Sequence, residues 1–369
     1  MKNITKLFYF FAVSLPLVFQ ANIHAQTDPT NVEVTEGYVF VKNNATITLD
    51  DSYIRIANPD ETFFDQAVTG LKQTDFSKDN NYMLITSFDF PESEENFKIY
   101  GLLFNNEFEL VDKLEADAYY GMPHPLFRVN NEGVVTIIDP QTMRLEIRDG
   151  GKNTTVEFEE GIPFEMERQI YIDSDEKGVY VLYNRELIPI EENNPEFTLA
   201  RYDFNTGEVA KSEISISSVT YCGIMDEKII ISGVKFEESV PTPISMRVNE
   251  RLEIINETRA INFEGLVKFN GLLVGTFNKS LVVFNENFDK TSEKYLTGEG
   301  KYKRVFILNG KLGIMIEEDG MLWIYTSTND NAEFDVELPQ AILSFNNFER
   351  FVNVSDCYIH SNNQTFIIK

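Results

Sequence analysis

Along this chain, short runs rich in Val, Ile, Leu, Phe and Tyr follow polar turns at a regular spacing. Asn44 leads into ATITL, Asn81 into YMLITSF, Asn131-Glu132-Gly133 into VVTII, and Glu176-Lys177-Gly178 into VYVLY. Further on, Glu227-Lys228 leads into IIISG, Asn270-Gly271 into LLVGTF, Asn309-Gly310-Lys311 into LGIMI, and Ser355-Asp356 into CYIHS. These eight occurrences fall between residues 44 and 355, a mean spacing of about 44 residues, within the range of propeller blades. Runs of this length bounded by Asn, Gly and Asp predict strands joined by tight turns. Branched and aromatic side chains suit a pleated surface, and the turn residues tolerate left-handed backbone. Helical periodicity is scarce beyond the N-terminal segment.

Each run is followed by another apolar segment: YIRIA, KIYGLLF, MRLEI, FTLARYDF, ISMRV, LVVF, MLWIY and TFIIK. A third follows in most repeats, as LVDKLEA, TTVEFEE, VAKSEIS, LEIINET and AEFDVEL. With the strand ahead of the turn, such as RQIYID, EGLVKFN or YKRVFILN, each repeat supplies four short strands. A unit this small cannot bury enough surface to fold alone, so the units must pack on one another. The expected fold is all-β, a β-propeller of four-stranded blades in which each blade covers the faces of its neighbours. The last repeat stops one strand short at FIIK, while VEVTE at 32–36 belongs to no repeat. That N-terminal strand is expected to pair with the C-terminal blade and close the ring. The count is eight blades, or seven if 38–70 is not a full blade. The turn in DSDEKGVYVLY (173–183) resembles the Asp, Gly and aromatic blade turn of NHL-type and related exported bacterial β-propeller repeat proteins. The likeness spans the chain after its first segment and implies an architecture, not an activity.

That first segment has Lys2 and Lys6, a 13-residue apolar run from Leu7 to Phe19, and Ile23-His24-Ala25 before Gln26. This is the pattern of a secretory signal peptide over 1–25, and the apolar run is too short to span a bilayer. A short linker, 26–30, and one propeller domain, 31–369, then follow. No cysteine near the cleavage point offers a site for lipid attachment, so a soluble product in the periplasm or outside the cell is expected, and it is expected to be monomeric. The whole chain carries 32 basic and 59 acidic residues, a net charge of -27. Such a surface excludes sequence-independent nucleic-acid binding, which needs clustered Lys and Arg. Cys222 and Cys357 sit in separate repeats and are expected as small buried side chains, with a bridge as the alternative.

Chemistry on a propeller is expected where loops lead into the innermost strands. The segments leading in are YYGMPHPLFR (119–128), FEMERQ (164–169), TRAINFEG (258–265), GKYKRV (300–305) and FNNFERF (345–351). Arginine recurs just before the innermost strand at Arg168, Arg304 and Arg350, with Tyr302 and Phe348 beside two of them. If they converge, these arginines offer bidentate donors to a carboxylate, sulfate or acidic sugar. The alternative is pairing with Glu167 and Glu349 between blades. His124, between Pro123 and Pro125 and after Tyr120, is a candidate acid, base or ligand at the channel mouth. Three long loops, 88–97, 184–197 and 235–244, carry Glu92, Glu94, Glu95, Glu191, Glu192, Glu237 and Glu238, an acidic rim that favours cations or a basic partner.

The run Asp173 to Gly178 is superficially like a calcium loop, but Lys177 stands where an oxygen ligand is required and Asn184 where a bidentate acid is. No motif supports a metal or cofactor, and a divalent cation remains an option without one. HExxH, GxSxG, GxGxxG and P-loop patterns are absent. Trp323, in MLWIY, is expected in a blade core. Two functional classes follow. One is an exported binding or interaction module that presents a face to a protein, glycan or anionic small ligand. The other is a carbohydrate-active or related enzyme with its site at the channel mouth. The site candidates for both are Tyr120, His124, Arg168, Tyr302, Arg304 and Arg350.

Overall fold

The computed structural model describes residues 32–36, 38–50, 52–88, 96–119, 124–158, 169–184, 196–238, 240–259, 261, 263, 265–277, 279–285, 287–295, 300–308, 310–319, 321–326, 343–346, 351–355, 358–361 and 364–368. All regular elements among them are strands. After β1 (Val32–Glu36), a first sheet holds β2 (Tyr38–Lys42), β3 (Ala45–Leu49), β4 (Tyr53–Ala57) and β5 (Thr62–Ala67). The second holds β6 (Leu71–Phe76), β7 (Tyr82–Phe88), β8 (Asn96–Asn105) and β9 (Leu110–Tyr119). The third holds β10 (Leu126–Val129), β11 (Val135–Asp139), β12 (Arg144–Asp149) and β13 (Lys152–Glu157). In the fourth are β14 (Ile170–Ser174), β15 (Gly178–Asn184), β16 (Glu196–Asp203) and β17 (Val209–Ser215). The fifth comprises β18 (Ser218–Met225), β19 (Lys228–Glu237), β20 (Val240–Val248) and β21 (Ile254–Arg259). The sixth has β22 (Gly265–Phe269), β23 (Leu272–Phe277), β24 (Ser280–Phe284) and β25 (Lys290–Tyr295). The seventh has β26 (Lys301–Leu308), β27 (Lys311–Glu318), β28 (Met321–Thr326) and β29 (Leu343–Asn346). A last sheet joins β30 (Phe351–Ser355), β31 (Tyr358–Ser361) and β32 (Gln364–Ile368) to β1, in that order.

The eight turn-launched runs are therefore the second strands β3, β7, β11, β15, β19, β23, β27 and β31. The N-terminal strand pairs antiparallel with the C-terminal one, Val34 opposite Phe366 and Glu36 opposite Gln364. The pairing gives β32, otherwise an open edge, a full ladder of partners.

The second strands β7, β11, β15, β19 and β23 read as unbroken apolar runs because both of their faces are covered. In β15, Val179, Val181 and Tyr183 pack with Ile138, Leu145 and Ile147 of the third sheet. The alternate residues Tyr180 and Leu182 pack with Ile229, Ile231 and Ile244 of the fifth. The same division occurs in β7, where Met83 and Ile85 meet Ile47 and Ile56, while Leu84 meets Val135 and Ile137. Between the fifth and sixth sheets Ile230 packs with Leu273, Val282 and Phe284, and between the sixth and seventh Val274 and Val283 pack with Leu312 and Ile314. Each of these cores among the described residues is thus shared by two successive sheets. Gly275 interrupts LLVGTF for a steric reason: a Cβ there would lie 2.1 Å from Cδ1 of Phe263.

The first sheet differs. Ala45, Ile47, Leu49, Ile54, Ile56 and Phe64 bury one face against the second sheet, whereas Thr46, Arg55 and Asp65 on the other face are exposed. Arg55 and Asp65 pair across β4 and β5 at 3.8 Å in the open. Strict alternation in ATITL and YIRIA records this one-sided burial.

Two expectations are corrected, and others lie outside the described residues. The segment 235–244 is not a loop: β19 continues to Glu237, Glu238 turns with φ 49, and β20 begins at Val240. Pro241 and Pro243 are tolerated because β21 reaches only as far as Ile244, so they lie on an edge there. The lead-in 345–351 overlaps β29, which supplies Phe345 and Asn346 to the seventh sheet. AEFDVEL, the signal peptide, the linker and the loops 89–95 and 185–195 fall outside the described residues. Cys222 is a free thiol packed beside the core between the fourth and fifth sheets, and burial pushes its pKa up. Cys357 lies outside the description.

Two outcomes are expected from this packing. Leu182→Ala opens a hole in a fully buried position and should cost about 2–5 kcal/mol in urea denaturation, against no measurable loss if the sheets do not pack there. Removing the chain through Glu36 bares β32, and should lower the melting temperature and raise light scattering by self-association; an unchanged melt and monodisperse scattering would contradict the β1–β32 pairing.

Candidate functional site

The inner strands carry polar side chains that tie successive sheets. Asp75 of β6 accepts a hydrogen bond from the Val129 N–H of β10 at 3.0 Å, through Oδ2. Asp173 of β14 does the same for Ile224 N–H of β18 at 2.7 Å. Each carboxylate sits just before the turn to the second strand and satisfies a backbone donor of the neighbouring sheet. Lys78, in the turn after β6, reaches further, donating to Ile224 O at 3.1 Å and lying 3.4 Å from Asp173 Oδ2. It links the second sheet to the fourth and fifth, past the third. In the turn 173–178, Asp175 Oδ1 accepts from the N–H groups of Lys177 and Gly178, at 2.8 and 2.9 Å. Its carboxylate holds a tight turn, as Asx geometry dictates.

A cavity of about 360 Å³ opens where the second sheet meets the third. Gln73, Thr74 and Asp75 of β6 line it with Thr86 and Phe88 of β7. Across from them stand His124 and Pro125, then Leu126, Phe127 and Arg128 of β10, with Pro140 and Ile170 beyond. Apolar walls and a few polar groups on one surface are what a small-molecule site requires. Burial raises the Asp75 pKa, and the Arg128 charge and the Val129 N–H oppose that rise. Arg128 bends back, its Nη1 donating to Phe127 O at 2.8 Å. Burial lowers the His124 pKa, so the imidazole is neutral near pH 7. Its ring stands edge-on to Phe97, centroids 5.3 Å apart, and tilted to Phe88 at 6.0 Å.

Of the six residues singled out from the sequence, His124 lines this cavity. Tyr120, Arg168 and Arg350 lie outside the described residues. Tyr302 is 1% exposed, packed with Phe269, Leu281 and Val305 between the sixth and seventh sheets, and burial pushes its phenol up to about 12. Its ring belongs to a core and not to a channel mouth. Arg304 lies inside β26, after a bulge between Tyr302 and Arg304, and not on a loop ahead of the strand. It keeps access to water while surrounding protein lowers its pKa, and it does not line the cavity that holds His124. Glu237, expected in a free acidic rim, pairs with Arg259 at 2.9 Å. Trp323 is half-buried in β28, opposite Ile316. His360 is in β31 opposite Thr365. Among the described residues, no group of three or more His, Cys, Asp or Glu is placed to hold a metal ion.

Asp75 and Arg128 were not among the residues chosen from the sequence. A recurring acid in the innermost strand, TDFSKDN in one repeat and YIDSDEK in another, was the signal available for Asp75. Because its folded pKa is raised, Asp75 keeps a proton at pH values where the unfolded chain has lost it. Stability from this group therefore falls as pH rises from 3.8 through the raised value. Asp75→Asn retains an oxygen for Val129 N–H, so at pH 7 it should melt higher than the parent, with the gain vanishing near about pH 3. A lower melting temperature at pH 7 would contradict the burial of this carboxyl.

No family model matches the chain, and no curated protein matches it. Among solved structures, dipeptidyl peptidase 4 of Porphyromonas gingivalis is similar with a TM-score of 0.55 at 8% identity, over 88% of this chain and 56% of that one. Apo AztD from Citrobacter koseri has a TM-score of 0.49 at 9% identity, over 90% of this chain and 88% of that one. Sqt1 of Saccharomyces cerevisiae has a TM-score of 0.49 at 7% identity, over 91% and 96%. These are β-propeller proteins. At such identity the likeness to the peptidase speaks for the fold alone, and with the repeated four-stranded sheets it agrees with a β-propeller architecture.

Proposed function

We propose that the chain is an exported, eight-bladed propeller that works as a binding module and takes a small ligand in the cavity between its second and third sheets. In this reading residues 1–25 direct export to the periplasm or beyond, and 31–369 form one domain. The β1–β32 pairing joins the ends of the ring, in place of an apolar seam, because the outer face of the first sheet is polar. The observation that carries the function is the cavity itself, where apolar walls surround Asp75, Arg128, His124 and Thr86. A carboxyl with a raised pKa in a cleft is a recognised mark of a functional site. Binding is preferred to glycoside hydrolysis because that chemistry ordinarily pairs two carboxyl groups, and Asp75 is the one carboxylate among the described lining residues. Arg304, accessible and outside that cavity, supports a separate contact with an anionic partner.

The test is a thermal-shift screen of the purified protein against sugars, acidic sugars, amino acids, dicarboxylates and divalent ions. A ligand at 100 times its Kd stabilises by about 2.7 kcal/mol, which a melt resolves easily. Gln73→Trp, at an exposed lining position, fills the cavity and should abolish the shift. A shift that survives this substitution would place the site elsewhere, and the absence of any shift would overturn the reading.

A further inference from the structure

We infer that the ligand of this cavity is a free α-amino acid with an apolar side chain, its ammonium group held by Asp75 and its carboxylate by Arg128. The inference rests on the binding reading above and assigns the ligand its chemical class.

Size comes first. At about 360 Å³ the cavity is near the lower end of small-molecule sites, which suits a single amino acid and not an oligosaccharide. Charge is more decisive. Asp75 and Arg128 line one cavity with opposite signs, yet each is engaged by backbone: Asp75 by the Val129 and Phe76 N–H groups, Arg128 by Phe127 O. Acceptor capacity on the carboxylate and the remaining guanidinium N–H groups are still there for a ligand, since a carboxylate offers about four lone-pair sites and a guanidinium has five donors. A neutral ligand that displaced water from both charges would strip their hydration without replacing it. Asp75 and Arg128 already attract one another, and a zwitterion adds a hydrogen-bonded counter-charge to each, its carboxylate matching the planar fork of Arg128. The neutral His124 imidazole adds no competing charge. Phe88, Leu126 and Ile170 then offer an apolar wall for the side chain.

The test measures binding of L-leucine to the purified protein by calorimetry, beside N-acetyl-L-leucine, which lacks the ammonium, and L-leucinamide, which lacks the carboxylate. Leucine should bind roughly tenfold or more tightly than either derivative. Asp75→Asn should weaken leucine and leucinamide but not N-acetyl-leucine, and Arg128→Gln should weaken leucine and N-acetyl-leucine but not leucinamide. Asp75→Asn keeps the acceptor for Val129 N–H, so its fold is preserved, and its melt verifies this. Equal binding of leucine and its derivatives would overturn the zwitterion assignment. Binding of a sugar, abolished by Gln73→Trp, with no binding of leucine would overturn the ligand class while leaving the cavity as the site. No binding of any probe by the parent protein would overturn both.

Discussion

The structure depends on one constraint: a four-stranded sheet of about 44 residues must cover its apolar faces with other sheets of the same kind. Nothing within a sheet can do this, because side chains alternate from face to face and each face is flat. A fully buried Leu or Ile stabilises by about 1.5–3 kcal/mol relative to an exposed one, so the cores between sheets dominate the favourable balance. The strand β15 shows the consequence most plainly. Its odd-numbered residues serve one interface and its even-numbered residues the next, so a single strand locks three sheets together.

Polar groups are confined to places where that packing leaves backbone donors in need of partners. Asp75 and Asp173 each reach from an inner strand to a neighbouring sheet's N–H, and Lys78 ties the second sheet to the fifth. Burying a carboxylate is unfavourable unless it is bonded, and the Asp75 pKa records the remaining cost. The same strain makes the wall between the second and third sheets chemically useful. A group held in an incompletely compensated setting is one on which a ligand gains most by supplying what is missing.

Much of the architecture was legible in the sequence because it is local. Each second strand begins at a turn whose Asn, Asp or Gly residues announce it, and the spare strand VEVTE finds the repeat that lacks one. Even the one-sided burial of the first sheet is written in the alternation of ATITL against the continuity of VYVLY. The site was less legible. KFEESVPTPI looks like a loop because it holds two prolines and two acids, yet an edge position makes both prolines compatible with a strand. Tyr302 and Arg304 lie two residues apart, and a bulge between them decides which is packed and which stays wet. Asp75 and Arg128 are 53 positions apart and become neighbours only when two sheets stack, a relation that no run of adjacent residues records.

Hydrogen exchange read by mass spectrometry tests the central claim most directly. If successive sheets share their cores, amides of the second strands β3, β7, β11, β15, β19, β23, β27 and β31 should exchange slowest, and β1 should be protected together with β32. Rapid exchange throughout those second strands, or a β1 that exchanges as freely as an unstructured peptide, would contradict the account.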